Sequence, residues 1–273
     1  MTIQESDFVF VRDLVLHRSA IVLESGKEYL VEARLAPVAR DAGLTGIPQL
    51  VETLKRQPSG PLATRVVEAM TTNETSFFRD SHPFDALKTH IIPTLLERNR
   101  SQRSIHIWSA ACSTGQEPYT IAMTLKEHFP ELDTWKVRIV CTDLAESVLD
   151  RARAGRYRQL EVNRGLPATY LTKYFERHGL EWQVVPLLKQ WTEFRQLNLI
   201  GDWGPMPRFD MVFLRNVLIY FDVDTKRRIL GRVRQLMSPG GWLFLGSAET
   251  TMNIDESFRR VLADRGHAYQ NAA

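Results

Sequence analysis

Glu117 and Asp143 are the residues on which a binding chemistry is first legible. Glu117 lies in the segment Ala110-Ala111-Cys112-Ser113-Thr114-Gly115-Gln116-Glu117-Pro118-Tyr119, which follows an apolar run, Ile105 to Ala110, that reads as a strand. The small residues and the glycine let backbone approach a ligand closely. The segment carries neither a GxGxxG fingerprint nor the phosphate-binding loop of nucleotide hydrolases, which argues against a diphosphate ligand. Glu117 falls at the start of the following helix, where the helix dipole favours an anion. A carboxylate there suits a cationic ligand; a structural helix cap is the equal alternative. Asp143 closes a second apolar run, Val137 to Thr142, and an acid at such a strand end can accept hydrogen bonds from ribose hydroxyls. Alone it reads as readily as a cap for the next helix. Together the two acids suggest a nucleoside that lacks phosphates and carries a positive charge. S-adenosylmethionine has those features.

The elements that would position these acids are legible from periodicity. Residues 1 to about 70 read as helical, with Phe8, Val11 and Val15, then Val31, Leu35 and Val38, at helical spacing. Short helices at Leu50 to Leu54 and Leu62 to Met70 follow, split by Pro58, Gly60 and Pro61. From about residue 100, strand candidates alternate with amphipathic helices. Ile105 to Ala110, Val137 to Thr142, Asp210 to Arg215 and Trp242 to Gly246 are the strands. Gln116 to Phe129, a stretch from Glu146, and Val223 to Met237 are the helices. That alternation predicts an α/β fold with a mostly parallel sheet covered on both faces. Trp182 to Leu188 and Trp191 to Leu197 read as two short strands joined around Lys189-Gln190, a hairpin inserted between sheet strands. The domain reading is 1–75 helical, 76–100 a linker, and 101–273 catalytic with an insert at about 180–197.

The chain has 273 residues and a formal net charge of +3, with acids and bases interspersed. The cluster Arg151, Arg153, Arg156 and Arg158 reads as a solvated helix end. No basic stripe marks a nucleic-acid surface. No apolar run has the length of a membrane span, and the acidic start (Gln4, Glu5, Asp7) does not suit a secretory signal. Cys112 and Cys141 make no metal or redox motif, and His82, His90, His106 and His128 have no metal-ligand spacing. A cytoplasmic protein without metal is the expectation.

Longer segments carry a resemblance. Thr72-Asn73-Glu74-Thr75-Ser76-Phe77-Phe78-Arg79 resembles the T-N-x-T-x-F-F-R segment of the chemotaxis receptor glutamate methyltransferases, the CheR family. Trp108 to Tyr119, Thr142-Asp143 and Phe209 to Asp222 (FDMVFLRNVLIYFD) resemble it too, in the same order. The resemblance covers nearly the whole chain. It implies a helical N-terminal domain, a linker, and a Rossmann-like S-adenosylmethionine methyltransferase sheet with a small inserted antiparallel β-subdomain. It implies that the cofactor is held by Asn73, Thr75, Arg79, Glu117, Asp143, Asn198, Leu199, Asn216 and Val217. For Asn198 on its own, a turn-forming role is the better reading. The implied reaction moves a methyl group from a sulfonium to a glutamate carboxylate of a chemoreceptor. Such a carboxylate is already ionised at neutral pH and needs no general base.

Arg79 is the first candidate to orient the substrate carboxylate, with the cofactor's own carboxylate as its alternative partner. Tyr220 is the second candidate, a phenol beside the transferred methyl, against the alternative of a core aromatic. The resemblance further implies docking of a basic N-terminal helix on the receptor's cytoplasmic helical domain, here through Lys27, Arg34 and Arg40. The stretch Tyr174 to Phe194 looks a few residues shorter than in relatives that grip a peptide at the receptor's C-terminus, so no such tethering peptide is expected. A monomer is expected, with a regulatory protein as a possible further partner. A nucleic-acid methyltransferase and an inactive S-adenosylmethionine-binding module stay open. Against the first, Arg215-Asn216-Val217-Leu218-Ile219-Tyr220 lacks the proline pair of adenine-modifying enzymes.

Overall fold

The computed structural model describes residues 3–263 and 266–272. Four helices open the chain: α1 (Glu5–Ser19), α2 (Glu28–Asp41), α3 (Ile47–Arg56) and α4 (Pro61–Ala69). Proline occupies the first turn of α3 and of α4, where its missing N–H costs nothing. The apolar stripes of these helices converge on one core that includes Val11, Val15, Val31, Leu35, Leu50 and Val66.

The segment expected as a linker, 76–100, is largely helical. α5 (His82–Ala86) continues through a π turn, Leu87–Ile91, into α6 (Ile92–Arg98). Phe84, Leu87, Ile91 and Leu95 are buried in the same core as Ile105 and Ile107 of the main sheet.

Next come β1 (Ser104–Ala110), α7 (Gln116–His128), β2 (Lys136–Asp143) and α8 (Glu146–Ala154). A small excursion follows: β3 (Arg156–Arg158), α9 (Gln159–Val162), α10 (Ala168–Tyr174), β4 (Phe175–His178), β5 (Glu181–Val184) and α11 (Pro186–Lys189). The chain returns with β6 (Thr192–Gln196), β7 (Phe209–Leu214), α12 (Val223–Leu236), β8 (Met237–Leu245), β9 (Phe258–Ala263) and β10 (Gly266–Asn271).

The main sheet is seven-stranded, in the order β6-β2-β1-β7-β8-β10-β9. Pairings are parallel from β6 through β8, and β10 runs antiparallel to β8 and β9. Alternate residues enter opposite cores. Ile105 and Ile107 pack with Met123 and Leu125 of α7, whereas Trp108 and Ala110 pack with Ile229 and Val233 of α12. The sheet is therefore apolar on both faces, as the continuous apolar runs require. Strand order reverses at β1, with β2 on one side and β7 on the other, so a crevice opens beyond their C-terminal ends.

The inserted sheet is three-stranded, β3-β5-β4, and antiparallel. Its location corrects the sequence reading. Trp182 to Leu188 and Trp191 to Leu197 do not pair with each other. The hairpin lies earlier, between β4 and β5, and turns at Gly179 with φ +61°. Pro186 cuts short the first expected strand, Trp182 to Leu188, by starting α11. Thr192–Gln196 joins the main sheet beside β2, in parallel register from Ile139↔Thr192 to Asp143↔Gln196.

Candidate active site

The crevice at the switch point is a cleft of about 910 Å³ including its open mouth. Three strand ends supply its floor. After β1 the chain passes Ala111 (φ +56°), Ser113 (φ +50°) and Gly115 (φ +92°) before α7 begins. After β2 comes the side chain of Asp143, and after β7 come Arg215 and Asn216 (φ +59°). Non-glycine residues seldom adopt positive φ, and such strain gathers at functional sites. Phe78 (φ +50°) and Asp80 (φ +55°), on either side of Arg79, add to the group.

Asp143 is buried, and its carboxylate is organised by backbone. Oδ2 accepts from the Ser113 N–H at 2.8 Å and Oδ1 from the Ala145 N–H at 3.1 Å. Burial pushes its pKa above the usual carboxylate value, and those amides pull the other way. Glu117 accepts from Ser109 Oγ at 2.8 Å through Oε1 and pairs with Arg215 Nη1 at 2.8 Å through Oε2. Glu117 is thus not a bare anion waiting for a cation. Its charge is already matched by a guanidinium, and its spare lone pairs remain for a ligand donor.

Arg215 is the functional residue that the sequence reading missed. Its side chain is 2% exposed and contacts Glu117, Asp80 and the Arg79 carbonyl. A signal was present: an arginine closing an otherwise apolar, buried strand must find partners. Glu249 was also missed. It accepts from the N–H groups of Asn216 (2.7 Å), Gly246 (2.6 Å) and Ile219 (3.3 Å), and so pins the loop that carries Asn216, Val217 and Tyr220.

The structure brings Asn73, Thr75, Arg79, Glu117, Asp143, Asn198, Leu199, Asn216, Val217 and Tyr220 to this one cleft. Arg79 is half-buried, with Nη1 donating to the Glu74 carbonyl at 3.1 Å. Tyr220 is half-buried at the wall, on a short 3-10 turn, and not in the core. Asn73 is held by its carbonyl, which accepts from Ser113 Oγ at 2.8 Å. The Asn198 side chain does form a turn, accepting from Ile200 N–H at 3.1 Å, while its Nδ2 donates to the Arg18 carbonyl at 2.7 Å. The helical domain closes one side: Ser19 and Ile21 line the cleft, and Val22 N–H donates to the Tyr220 carbonyl at 3.0 Å.

The basic residues of α2 do not act as one set. Arg34 turns inward, donating to the carbonyls of Met70 (2.7 Å) and Thr71 (2.9 Å) and to Thr72 Oγ1 (3.0 Å). Burial lowers its pKa, opposed by the nearby Tyr220 phenol. Three of Arg34's hydrogen bonds thus go to the chain leading to Asn73, which commits much of its guanidinium inward. Arg40 is exposed, and Lys27, half-exposed, precedes the first turn of α2.

Residues 73–266 match the family model described as CheR methyltransferase, SAM binding domain, and residues 6–71 match that described as CheR methyltransferase, all-alpha domain. The chain belongs to the CheR methyltransferase family. It is 42% identical to chemotaxis protein methyltransferase 1 of Pseudomonas aeruginosa, covering 99% of each chain. It is 39% identical to chemotaxis protein methyltransferase Cher2 of Pseudomonas putida, over 97% of each. It is 36% identical to chemotaxis protein methyltransferase 1 of Vibrio cholerae, over 99% of this chain and 98% of that one. As a CheR methyltransferase the chain is an S-adenosylmethionine-dependent enzyme. Among the described residues no helix is long and apolar enough to cross a membrane.

Proposed function

We propose that this CheR methyltransferase binds S-adenosylmethionine in the cleft and methylates glutamate side chains of bacterial chemoreceptors, giving methyl esters. The observation that carries the reading is the convergence of Glu117, Asp143, Arg79 and Tyr220 on one cleft at the sheet's switch point. The residues fit such a cofactor. Asp143 offers buried lone pairs to ribose hydroxyls, Glu117 offers lone pairs to an ammonium, and the loops after β1 and β7 approach closely through left-handed backbone. Asn73, Thr75, Asn198, Leu199, Asn216 and Val217 would complete the pocket.

When bound, the cofactor supplies a methyl carbon made electrophilic by a sulfonium, for transfer to a carboxylate oxygen. No residue of the chain has to remove a proton, because the glutamate arrives ionised. The chain's task is alignment and exclusion of water. Arg79 orients the incoming carboxylate, and its partial commitment to the Glu74 carbonyl keeps that grip moderate. Moderation matters because nucleophile and sulfonium lose their opposite charges together, so a tight clamp on the carboxylate would hold back the ground state. Tyr220 presents its phenol at the wall where the methyl passes.

The division of labour we favour assigns partner contact to residues 1–75 and chemistry to 101–273, with 76–100 closing the cleft between them. Lys27 and Arg40 face the acidic cytoplasmic helices of the receptor. The enzyme works as a cytoplasmic monomer, without a tethering peptide at the receptor's C-terminus; micromolar binding of that isolated peptide in calorimetry would contradict this. The function itself is tested by methylating purified receptor cytoplasmic domains with labelled donor. Label released by mild base identifies carboxyl esters. Alkali-stable label, or label on nucleic acid, would refute the reading.

A further inference from the structure

Resting on that reading, we propose that Arg215 is a positioning residue for methyl transfer: one buried guanidinium ties the Glu117 wall of the cleft to the turn that carries Arg79. It sits immediately after β7, and its side-chain hydrogen bonds and ion pairs run to these two parts. Nη1 binds Glu117 Oε2 at 2.8 Å. Nη2 binds the Arg79 carbonyl at 2.8 Å and Asp80 Oδ2 at 3.0 Å. The guanidinium carbon lies 5.8 Å from the centre of the Phe84 ring. Nε is buried without a hydrogen-bond acceptor among the described residues, so the group is committed through its two terminal nitrogens.

The turn it holds is one that would not hold itself. Phe78 and Asp80 both have left-handed backbone, at φ +50° and +55°, and for a bulky residue such as Phe78 that is a marked departure. Strained backbone persists only where its surroundings over-determine it. Beyond Arg215, the turn has the bond from Phe78 N–H to Thr120 Oγ1 at 3.2 Å and the edge-on packing of the Phe78 ring on Phe84 and Tyr170. The Arg79 side chain points its guanidinium toward the Glu74 carbonyl, so its own anchor is local. The bond that fixes the Arg79 backbone relative to the sheet is the one from Arg215. Arginine is required for geometric reasons. A planar fork reaches a carboxylate on one side and a carbonyl with a second carboxylate on the other, whereas a lysine ammonium is a single point. Arg215's hold on Glu117 bears on cofactor affinity, and its hold on the Arg79 turn bears on kcat.

The test is a double-mutant cycle on kcat with receptor substrate, using Arg215→Lys, Arg79→Ala and the pair. Arg215→Lys alone is expected to lower kcat by about a hundredfold, the scale of a small misplacement of an aligned group. In the Arg79→Ala background the same change is expected to lower kcat by less than about threefold, because the group it positions is gone. Asp80→Asn, which weakens the same anchor from the exposed side, is expected to show the same pattern at roughly tenfold, and it carries the cycle if Arg215→Lys fails to fold. Losses that multiply in the double variants would overturn the positioning role and leave the proposed function standing. An Arg79→Ala enzyme with full kcat would overturn the positioning role as well, whereas failure of the wild type to transfer base-labile methyl groups to receptor would sink the proposed function.

Discussion

Asp143 holds a carboxylate at the end of β2 in a place where burial penalises its charge. Its pKa in the folded chain lies above the ordinary 3.8, so the native state holds this proton more tightly than the unfolded chain does. The stabilisation from that proton is complete below the ordinary value and is lost as pH rises through the raised one. Relative to an Asp143→Asn variant, the wild type should therefore gain stability as pH is lowered through that window, measured by denaturant unfolding at several pH values. Affinity for S-adenosylhomocysteine should move the opposite way, weakening as the carboxylate that serves the ribose is protonated. A pH-independent difference between the two proteins would contradict both. For Arg79, replacement by alanine should lower kcat by about tenfold to a hundredfold, the worth of a charged hydrogen bond. Affinity for S-adenosylhomocysteine should stay within a few-fold, and a loss confined to that affinity would assign the guanidinium to the cofactor instead. Glu117 and Asp143 were legible in the sequence because each follows an apolar run, and strand ends are where ligands bind. Arg215 was not singled out because its partners lie far along the chain: Glu117 is matched by a residue 98 positions later. A single sequence displays a charge in an apolar setting and does not say what neutralises it.

Among elements, the loop from β1 to α7 is tightly constrained. Gly115 has φ +92°, and a Cβ there would lie 2.9 Å from the Ala152 Cβ and 3.1 Å from the Tyr157 hydroxyl. Gly115→Ala should thus cost roughly 1–3 kcal/mol, read as a lower denaturation midpoint with unchanged slope. Because the same loop supplies the Ser113 amide to Asp143, affinity for S-adenosylhomocysteine should fall as well. Wild-type stability in this variant would show that the loop tolerates the methyl group. The helices and the sheet were legible because burial on two faces leaves continuous apolar runs, and burial on one side leaves a 3.6-residue period. The inserted hairpin was misplaced for a physical reason. A short alternating strand looks the same whether its neighbour belongs to the insert or to the main sheet, and Thr192–Gln196 pairs with β2. Gly179, whose left-handed backbone makes the true turn, was the available signal. The helix inside 76–100 escaped notice because its π turn at Leu87–Ile91 disturbs the regular spacing.

At the scale of the molecule, two domains share one cleft. Ser19, Ile21 and the 71–76 segment form walls opposite the strand ends, and Arg34 fastens that segment to α2. The charges proposed to face the receptor, Lys27 and Arg40, should act at long range. Raising salt shortens the Debye length from about 10 Å at 0.1 M to about 3 Å at 1 M. The KM for receptor should therefore rise several-fold with salt, while affinity for S-adenosylhomocysteine changes little. Lys27→Glu with Arg40→Glu should raise KM and leave kcat intact, as loss of uniform binding does. If the cleft at the sheet's switch point grips the methyl donor through its acidic residues, calorimetric titration with S-adenosylhomocysteine should find one site in the wild type. Binding in Asp143→Asn should be at least about tenfold weaker, the worth of a lost charged hydrogen bond. Undiminished affinity in a folded Asp143→Asn protein would contradict it.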